Sequence, residues 1–203
     1  MIKINFVKTF VGAFTLAFKN IPSIFGCAIL WLLTFWIPYI NVGTSIAMAN
    51  LPIALSQGKV INPLSIFSSV YRKKMGDYII FNFLAYGAIF IACFYFIIPG
   101  IVLMIAWSMA KFIMIEKDKS PLEALRLSNN ITNGNKWMIV AIKLATNFAM
   151  IILALIILSI LTAIEWPTLD IIVCFILLVF YIGLGKSVDA MLWQQLKKSE
   201  MLD

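Results

Sequence analysis

The chain has 203 residues, of which 63% are hydrophobic and 12% charged, and 16 Lys and Arg against 9 Asp and Glu leave a net charge of +7. Soluble domains carry about 45–50% apolar residues, so the composition excludes an ordinary water-soluble domain and predicts a chain solvated mostly by lipid. Histidine is absent, which removes the commonest general base and zinc ligand. The three cysteines, Cys27, Cys93 and Cys174, sit inside apolar runs without metal or redox spacing, and no cofactor is expected.

Residues 2–19 place Phe6, Phe10, Phe14 and Phe18 four apart, against a stripe of Asn5, Lys8, Gly12, Thr15 and Lys19. This pattern predicts an interfacial amphipathic helix, Phe side down and lysines toward headgroups. Ala47-Met48-Ala49 has the look of a signal cleavage site. It lies too far along the chain for that and is followed by more membrane.

Residues 22–57 read as a first apolar hairpin broken over 38–42, and residues 63–75 as an interfacial helix. A second hairpin, 78–115, breaks at Pro99-Gly100, and a second such helix covers 121–132. A third hairpin, 137–185, breaks at Glu165-Trp166-Pro167, leaving a tail over 186–203. Proline disrupts the helix it enters and pushes the preceding residue out of helical geometry. The expected fold is all-α: one membrane domain over 1–203, a polytopic bundle of about six transmembrane helices in three proline-broken hairpins with interfacial amphipathic helices. Pro38 and Pro99 stand 61 residues apart, and Gly76 and Gly134 stand 58 apart, as in a tandem repeat about an axis along the membrane normal. The arm over 43–57 has only 15 residues, about 22 Å against about 30 Å of hydrocarbon. The first two hairpins therefore either cross a thinned bilayer, giving six full crossings, or dip in from one face.

Ser120-Pro121-Leu122-Glu123 has the form of a capping box with proline at the first helical position. Leu122, Leu125 and Leu127 can face apolar material while Glu123, Arg126 and Asn130 face water. Asn133-Gly134-Asn135 supplies a stop, and Trp137 an interfacial anchor. Upstream, Leu64, Phe67, Val70 and Tyr71 precede Arg72, Lys73 and Lys74. Candidate contacts to lipid headgroups or a partner are Lys8, Lys19, Arg72, Lys73, Lys74, Arg126 and Lys136. Asn50, Asn82, Asn147 and Lys143 are the candidate intramembrane polar contacts, with Lys111 and Lys143 near the inner ends of their arms, where they can snorkel. Six crossings with the N-terminus inside put all sixteen basic residues on one side, with Glu165 and Asp170 opposite, so both termini are expected in the cytoplasm.

The run from Ile98 to Trp137 carries Pro99-Gly100, the Ser-Pro-x-Glu-Ala-Leu start at Ser120 to Leu125, and Gly-Asn-Lys-Trp at Gly134 to Trp137. It resembles the signature of the YciC-like group of bacterial integral membrane proteins and is similar to the membrane domain fused to some glycerophosphoryl diester phosphodiesterases. That resemblance implies a multi-pass protein of the bacterial inner membrane without an assigned reaction. The hydrolase of those fusions is a separate domain built on His and metal-binding acids, which nothing here matches.

No nucleophile beside a base, paired intramembrane carboxylates, phosphate loop or metal cluster is visible. The expected function is therefore non-catalytic: an envelope-organising or complex-scaffolding subunit, with anionic lipid headgroups on the cytoplasmic face and a protein of a membrane complex as partners, and no nucleic acid. The alternative is a small transporter or channel for an uncharged or lipid-like solute, because proline-broken helices in repeated units build midplane sites. A lipid-directed enzyme ranks third, since Glu165 and Asp170 make no persuasive acid–base pair.

Overall fold

The computed structural model describes residues 3–162 and 167–198, and among them there is no strand. Ten α-helices follow in order: α1 (Phe6–Lys19), α2 (Ile21–Thr34), α3 (Pro38–Ser56), α4 (Ser69–Arg72), α5 (Met75–Tyr95), α6 (Ile97–Ala106), α7 (Ala110–Glu116), α8 (Pro121–Thr132), α9 (Lys136–Thr162) and α10 (Pro167–Leu196). A 3₁₀ helix, Pro63–Phe67, precedes α4. Four segments are long and apolar enough to cross a bilayer: Met75–Tyr95, Ile97–Glu116, Lys136–Leu161 and Leu169–Leu196. The α1–α2 pair, bent by 81°, is a fifth if it counts as one span. Intrahelical bonding satisfies the backbone where no water is available, and large apolar side chains cover the outside of these helices. The chain is a helical membrane protein.

Prolines begin helices here rather than ending them. Pro22, Pro38, Pro63, Pro99, Pro121 and Pro167 all fall in a first turn, where the missing N–H has no intrahelical partner to lose. The hairpin breaks accordingly lie earlier than the proline pattern places them. The first is at 35–37 rather than 38–42, and the second is the single extended residue Phe96, φ −149°, rather than Pro99-Gly100. Most of the third expected break, including Glu165 and Trp166, lies outside the described residues, and Pro167 already belongs to α10. Gly100 has a different job. A Cβ there would stand 2.9 Å from the Cys93 backbone nitrogen and collide with its sulfur, so only glycine lets α6 fold back this closely on α5.

Other differences follow from packing. Over 63–75 the chain forms the 3₁₀ helix and the single-turn α4 rather than one interfacial helix. Residues 186–196 continue α10 instead of starting a tail, and Trp193 is fully buried there. The buried stripe of α1 is Thr9, Ala13 and Ala17, with the phenylalanines left on its flanks. Small residues admit a close neighbour, and α1 lies along α10 from its middle to its end: Gln195 donates to Thr9 Oγ1 at 2.7 Å, and the Phe18 and Phe180 rings meet at a tilt, 5.6 Å between centres. At the centre, every residue of α3 from Gly43 to Ser56 is buried except Ser45 and Asn50. Protein rather than lipid surrounds this helix, which is why it tolerates Thr44, Asn50, Pro52 and Ser56.

Between α6 and α7 the helix breaks at Trp107 to Met109, and α8 repairs it. Ser128 Oγ donates to Ala106 O at 2.7 Å and accepts from Met109 N at 3.2 Å; Thr132 Oγ1 reaches the same carbonyl at 3.3 Å. Both side chains are fully buried in a stripe with Ala124, Leu125 and Ile131, so α8 is a packed element, whereas Leu122, expected on its apolar side, is exposed. Ser120 Oγ caps the helix by accepting from Glu123 N at 3.4 Å. A buried, unpaired amide costs about 1–3 kcal/mol, so Ser128→Ala should lower stability by that amount and Ser128→Ala/Thr132→Val by more, measured by thermal unfolding in detergent.

Candidate functional site

A half-open cavity of about 420 Å³ with a strongly polar lining lies between the α5–α6 hairpin and helices α3, α9 and α10. Lys111 on α7, Lys143 on α9, and Lys186 and Asp189 on α10 all line it. Tyr86 and Met104, from the middle of two spans, sit on its wall and are 55% and 54% exposed. The cavity therefore meets the side of the bundle that faces lipid.

Each lysine is held differently. Lys111 Nζ donates to Tyr86 Oη at 2.8 Å and lies 5.0 Å from the centre of the Tyr86 ring, 5.6 Å from Tyr78 and 6.0 Å from Phe81. Three ring faces offer partial negative charge to this ammonium. Lys143 pairs with Asp189 at 2.9 Å, the two side chains being 39% and 21% exposed. Among the described residues Lys186 makes no hydrogen bond and no ion pair; Asp189 attracts it, while Lys111 and Lys143 repel it. Three lysines against one carboxylate give the lining a formal net charge of +2.

Two further spaces lie beside the cavity. A space of about 330 Å³ also touches Lys143, Lys186 and Asp189 and runs on to Asn147 and Tyr181, where Tyr181 Oη donates to Asn147 Oδ1 at 3.2 Å. From that pair a groove of about 460 Å³ continues between α9 and α10 along Met150, Ala154, Leu158, Cys174 and Leu178. Three spaces thus lie in a row, charged, then amphipathic, then apolar, each sharing lining residues with the next.

Helix length sets the depth of this row. About twenty helical residues span 30 Å of hydrocarbon. Counted from the ends of α9 and α10 that flank residues 163–166, twenty residues reach Lys143 on one helix and Lys186 on the other. The charged end thus lies one hydrocarbon thickness from the opposite end of the two long helices, and the apolar groove lies within that thickness.

Of the candidate intramembrane polar residues, Lys143 and Asn147 line these spaces. Lys143 is drawn to Asp189 while its side chain stays 39% exposed. Asn50 donates to Tyr71 Oη at 3.1 Å on the far side of α3, and Asn82 Oδ1 is buried without a hydrogen bond. Of the surface cations, Lys8, Lys19, Arg72, Lys73 and Arg126 are exposed. Lys74 instead joins α7 to the following turn, donating to Ile115 O at 3.2 Å and pairing with Asp118 at 2.7 Å. Lys136 donates to Asn129 Oδ1 at 2.9 Å. Sequence reasoning missed Lys111, Lys186 and Asp189 as a group. The available signal was an acid and a lysine three apart, on one face of an apolar helix. Among the described residues no cluster of three acids or cysteines could hold a metal.

No protein-family model, curated protein or solved structure matches the chain.

Removing one partner of the Lys143–Asp189 pair strands the other at a half-buried site. Between the values for exposed and fully buried pairs, Lys143→Met should destabilise by about 1–2 kcal/mol, and Lys143→Met/Asp189→Leu should recover most of it, measured by unfolding in detergent. At the surface, the hydrogen bond and charge of Lys74 hold the Asp118 carboxyl below its ordinary value. A depressed carboxyl contributes stability above the usual aspartate pKa of about 3.9 and loses it as pH falls through the lowered value. Asp118→Asn should therefore narrow the difference in melting temperature between pH 6 and pH 3.

Proposed function

We propose that this chain is a non-catalytic, multi-pass protein of the bacterial cytoplasmic membrane that binds or carries a lipid-like amphiphile. The observation that carries this is the row of adjoining spaces from the lysine-lined cavity to the apolar groove between α9 and α10, each sharing lining residues with the next. Pockets of a few hundred Å³ with a few converging polar groups are the usual form of small-molecule sites, and a polar end joined to a greasy slot matches an amphiphile better than a polar solute. A scaffolding role, the first expectation from the sequence, has no comparable surface in its favour. Kinship with the YciC-like group, through the run from Ile98 to Trp137, agrees with either role.

In this proposal both termini are cytoplasmic, α9 and α10 cross the bilayer, and the first two hairpins, read as copies of one unit, dip in from the cytoplasmic face. The residues at their turns support that depth. Phe35, Trp36 and Ile37 in the first, and Phe94 to Ile98 in the second, are apolar and exposed, a poor surface for water and a good one for acyl chains. Lys111 lies fourteen residues past Ile97, about 21 Å if counted at the helical rise through the break at Trp107 to Met109, yet shares a cavity with Lys186, about 30 Å along α10 from Pro167. The second hairpin is therefore the shallower. Lys8, Lys19, Arg72, Lys73 and Arg126 would meet anionic headgroups on the cytoplasmic side.

Two experiments test these statements. Extraction from native membranes in mild detergent should yield protein with bound lipid, and Ala154→Trp, which fills the groove, should strip it; a defined protein partner, with no lipid lost in that variant, would return the scaffold to first place. In a chain without its native cysteines, Thr168→Cys should react with an impermeant thiol reagent in intact cells. Trp36→Cys and Phe96→Cys should stay unlabelled there; reaction of all three would mean six full crossings.

A further inference from the structure

We infer that the charged end of this row of spaces is a binding site for a phosphoester anion, and that its occupant is an anionic phospholipid with a small head. The inference rests on the amphiphile reading for the tail and on separate observations for the head. A lysine ammonium offers three donors and no acceptor, and a phenol one of each. Lys186 uses none of its donors among the described residues. Lys111 gives one to Tyr86 Oη, which leaves the phenolic hydrogen of Tyr86 available in turn. The carboxylate of Asp189, the cavity's only anion, is engaged by Lys143. The cavity is thus rich in donors, poor in acceptors and formally positive by two charges.

A phosphodiester carries the complementary set: acceptor oxygens, no donor at the phosphorus, and a negative charge that forms short charge-assisted bonds to ammonium groups. A zwitterionic head such as choline would bring a third like charge toward Lys111 and Lys186. The volume of about 420 Å³ suits a phosphate with a small alcohol on it. Geometry then selects a lipid over a free phosphate, because the groove from Asn147 to Leu158 covers eleven residues of α9, about 16 Å, beside the charged end and at the depth where an acyl chain lies.

Asp189 would set the strength of the site. Held by Asp189, Lys143 is half-withdrawn; released, it becomes a third cation for the same anion. Asp189→Asn should therefore tighten binding, whereas a variant that merely damages the fold would weaken it.

The test uses the full chain in mixed micelles containing phosphatidylglycerol or phosphatidylcholine with identical acyl chains, with glycerol 3-phosphate and inorganic phosphate in separate arms, and reads bound ligand by native mass spectrometry. Wild type should retain phosphatidylglycerol at least about tenfold over phosphatidylcholine. Lys186→Gln and Lys111→Gln should each reduce that ratio by about tenfold, the usual scale for losing one bond to a charged group, with Lys186→Arg close to wild type and Asp189→Asn above it. Equal retention of the two lipids by wild type and both glutamine variants, lost in Ala154→Trp, would overturn the anion site while leaving the amphiphile reading intact. Lysine-dependent binding of glycerol 3-phosphate or phosphate with no lipid retained would keep the anion site, assign it a soluble occupant and sink the amphiphile reading. Binding in no arm would sink both.

Discussion

A helix must run about twenty residues to cross the hydrocarbon, and α9 and α10 run 27 and 30. The surplus projects from one end of the bundle, and much of the rest of the molecule clothes it. Val188, Leu192, Trp193 and Leu196 form the buried face of that projection. α1 covers it from one side, while α3 and α7 reach it from the other: Gln194 donates to Ser56 O at 3.3 Å, and the Trp193 indole nitrogen donates to Glu116. The carboxylate of Glu116 also accepts from Gln57 Nε2 at 3.0 Å, so one acid ties the ends of three helices together. Shorter helices in place of α9 and α10 would leave α1 without a surface to pack on and the three lysines without a common depth.

Backbone satisfaction explains the next level. Wherever a helix ends inside the bundle, its unpaired groups need partners, and the polar residues scattered among apolar ones are largely spent on them. Ser128 and Thr132 serve the α6–α7 break. Asn135 Oδ1 accepts from Ile4 N at 3.1 Å, and Gln195 Oε1 accepts from Asn5 N at 3.1 Å, which ties the start of the chain to the α8–α9 turn and the end of α10. Gly134, at φ +79°, makes that turn possible because its conformation suits a residue without a side chain. The Ser-x-x-x-Thr and Gly-Asn spacings between residues 128 and 135 thus have local structural causes, whatever the affinities of the chain.

These features also decide how much was legible in the sequence. Composition alone indicated lipid as solvent, and the Ser120 cap with Pro121 at the first helical position located the start of α8, because capping is a contact between residues three apart, while Asn133-Gly134-Asn135 located its end. Proline was read with the wrong sign elsewhere: it is as much an initiator as a breaker, and only the backbone on either side decides which. The burial of α3 was hidden because its apolar residues show no single face; a helix enclosed by protein needs none. The cavity was hidden for a different reason. Lys111, Lys143 and Lys186 lie 32 and 43 residues apart along the chain, and each taken singly is a basic residue near the end of an apolar arm. Only packing shows that all three point into one space rather than out to three separate headgroups.

That convergence bears on what the lysines are for. A cation near the inner end of a membrane helix is ordinarily a topology signal and reaches water by extending its stem, a role that asks only for an unobstructed route outward. Lys111 is instead ringed by Tyr78, Phe81 and Tyr86, and Lys143 is neutralised by Asp189, so two of the three have protein partners that make their position tolerable. Lys186 has neither a ring nor an ion pair among the described residues; Asp189 attracts it, while Lys111 and Lys143 repel it. A charge withdrawn from water without compensation is expensive. Asp189 is shared between Lys143 and Lys186, and in the proposed site an anionic headgroup would supply the remaining compensation from the lipid itself.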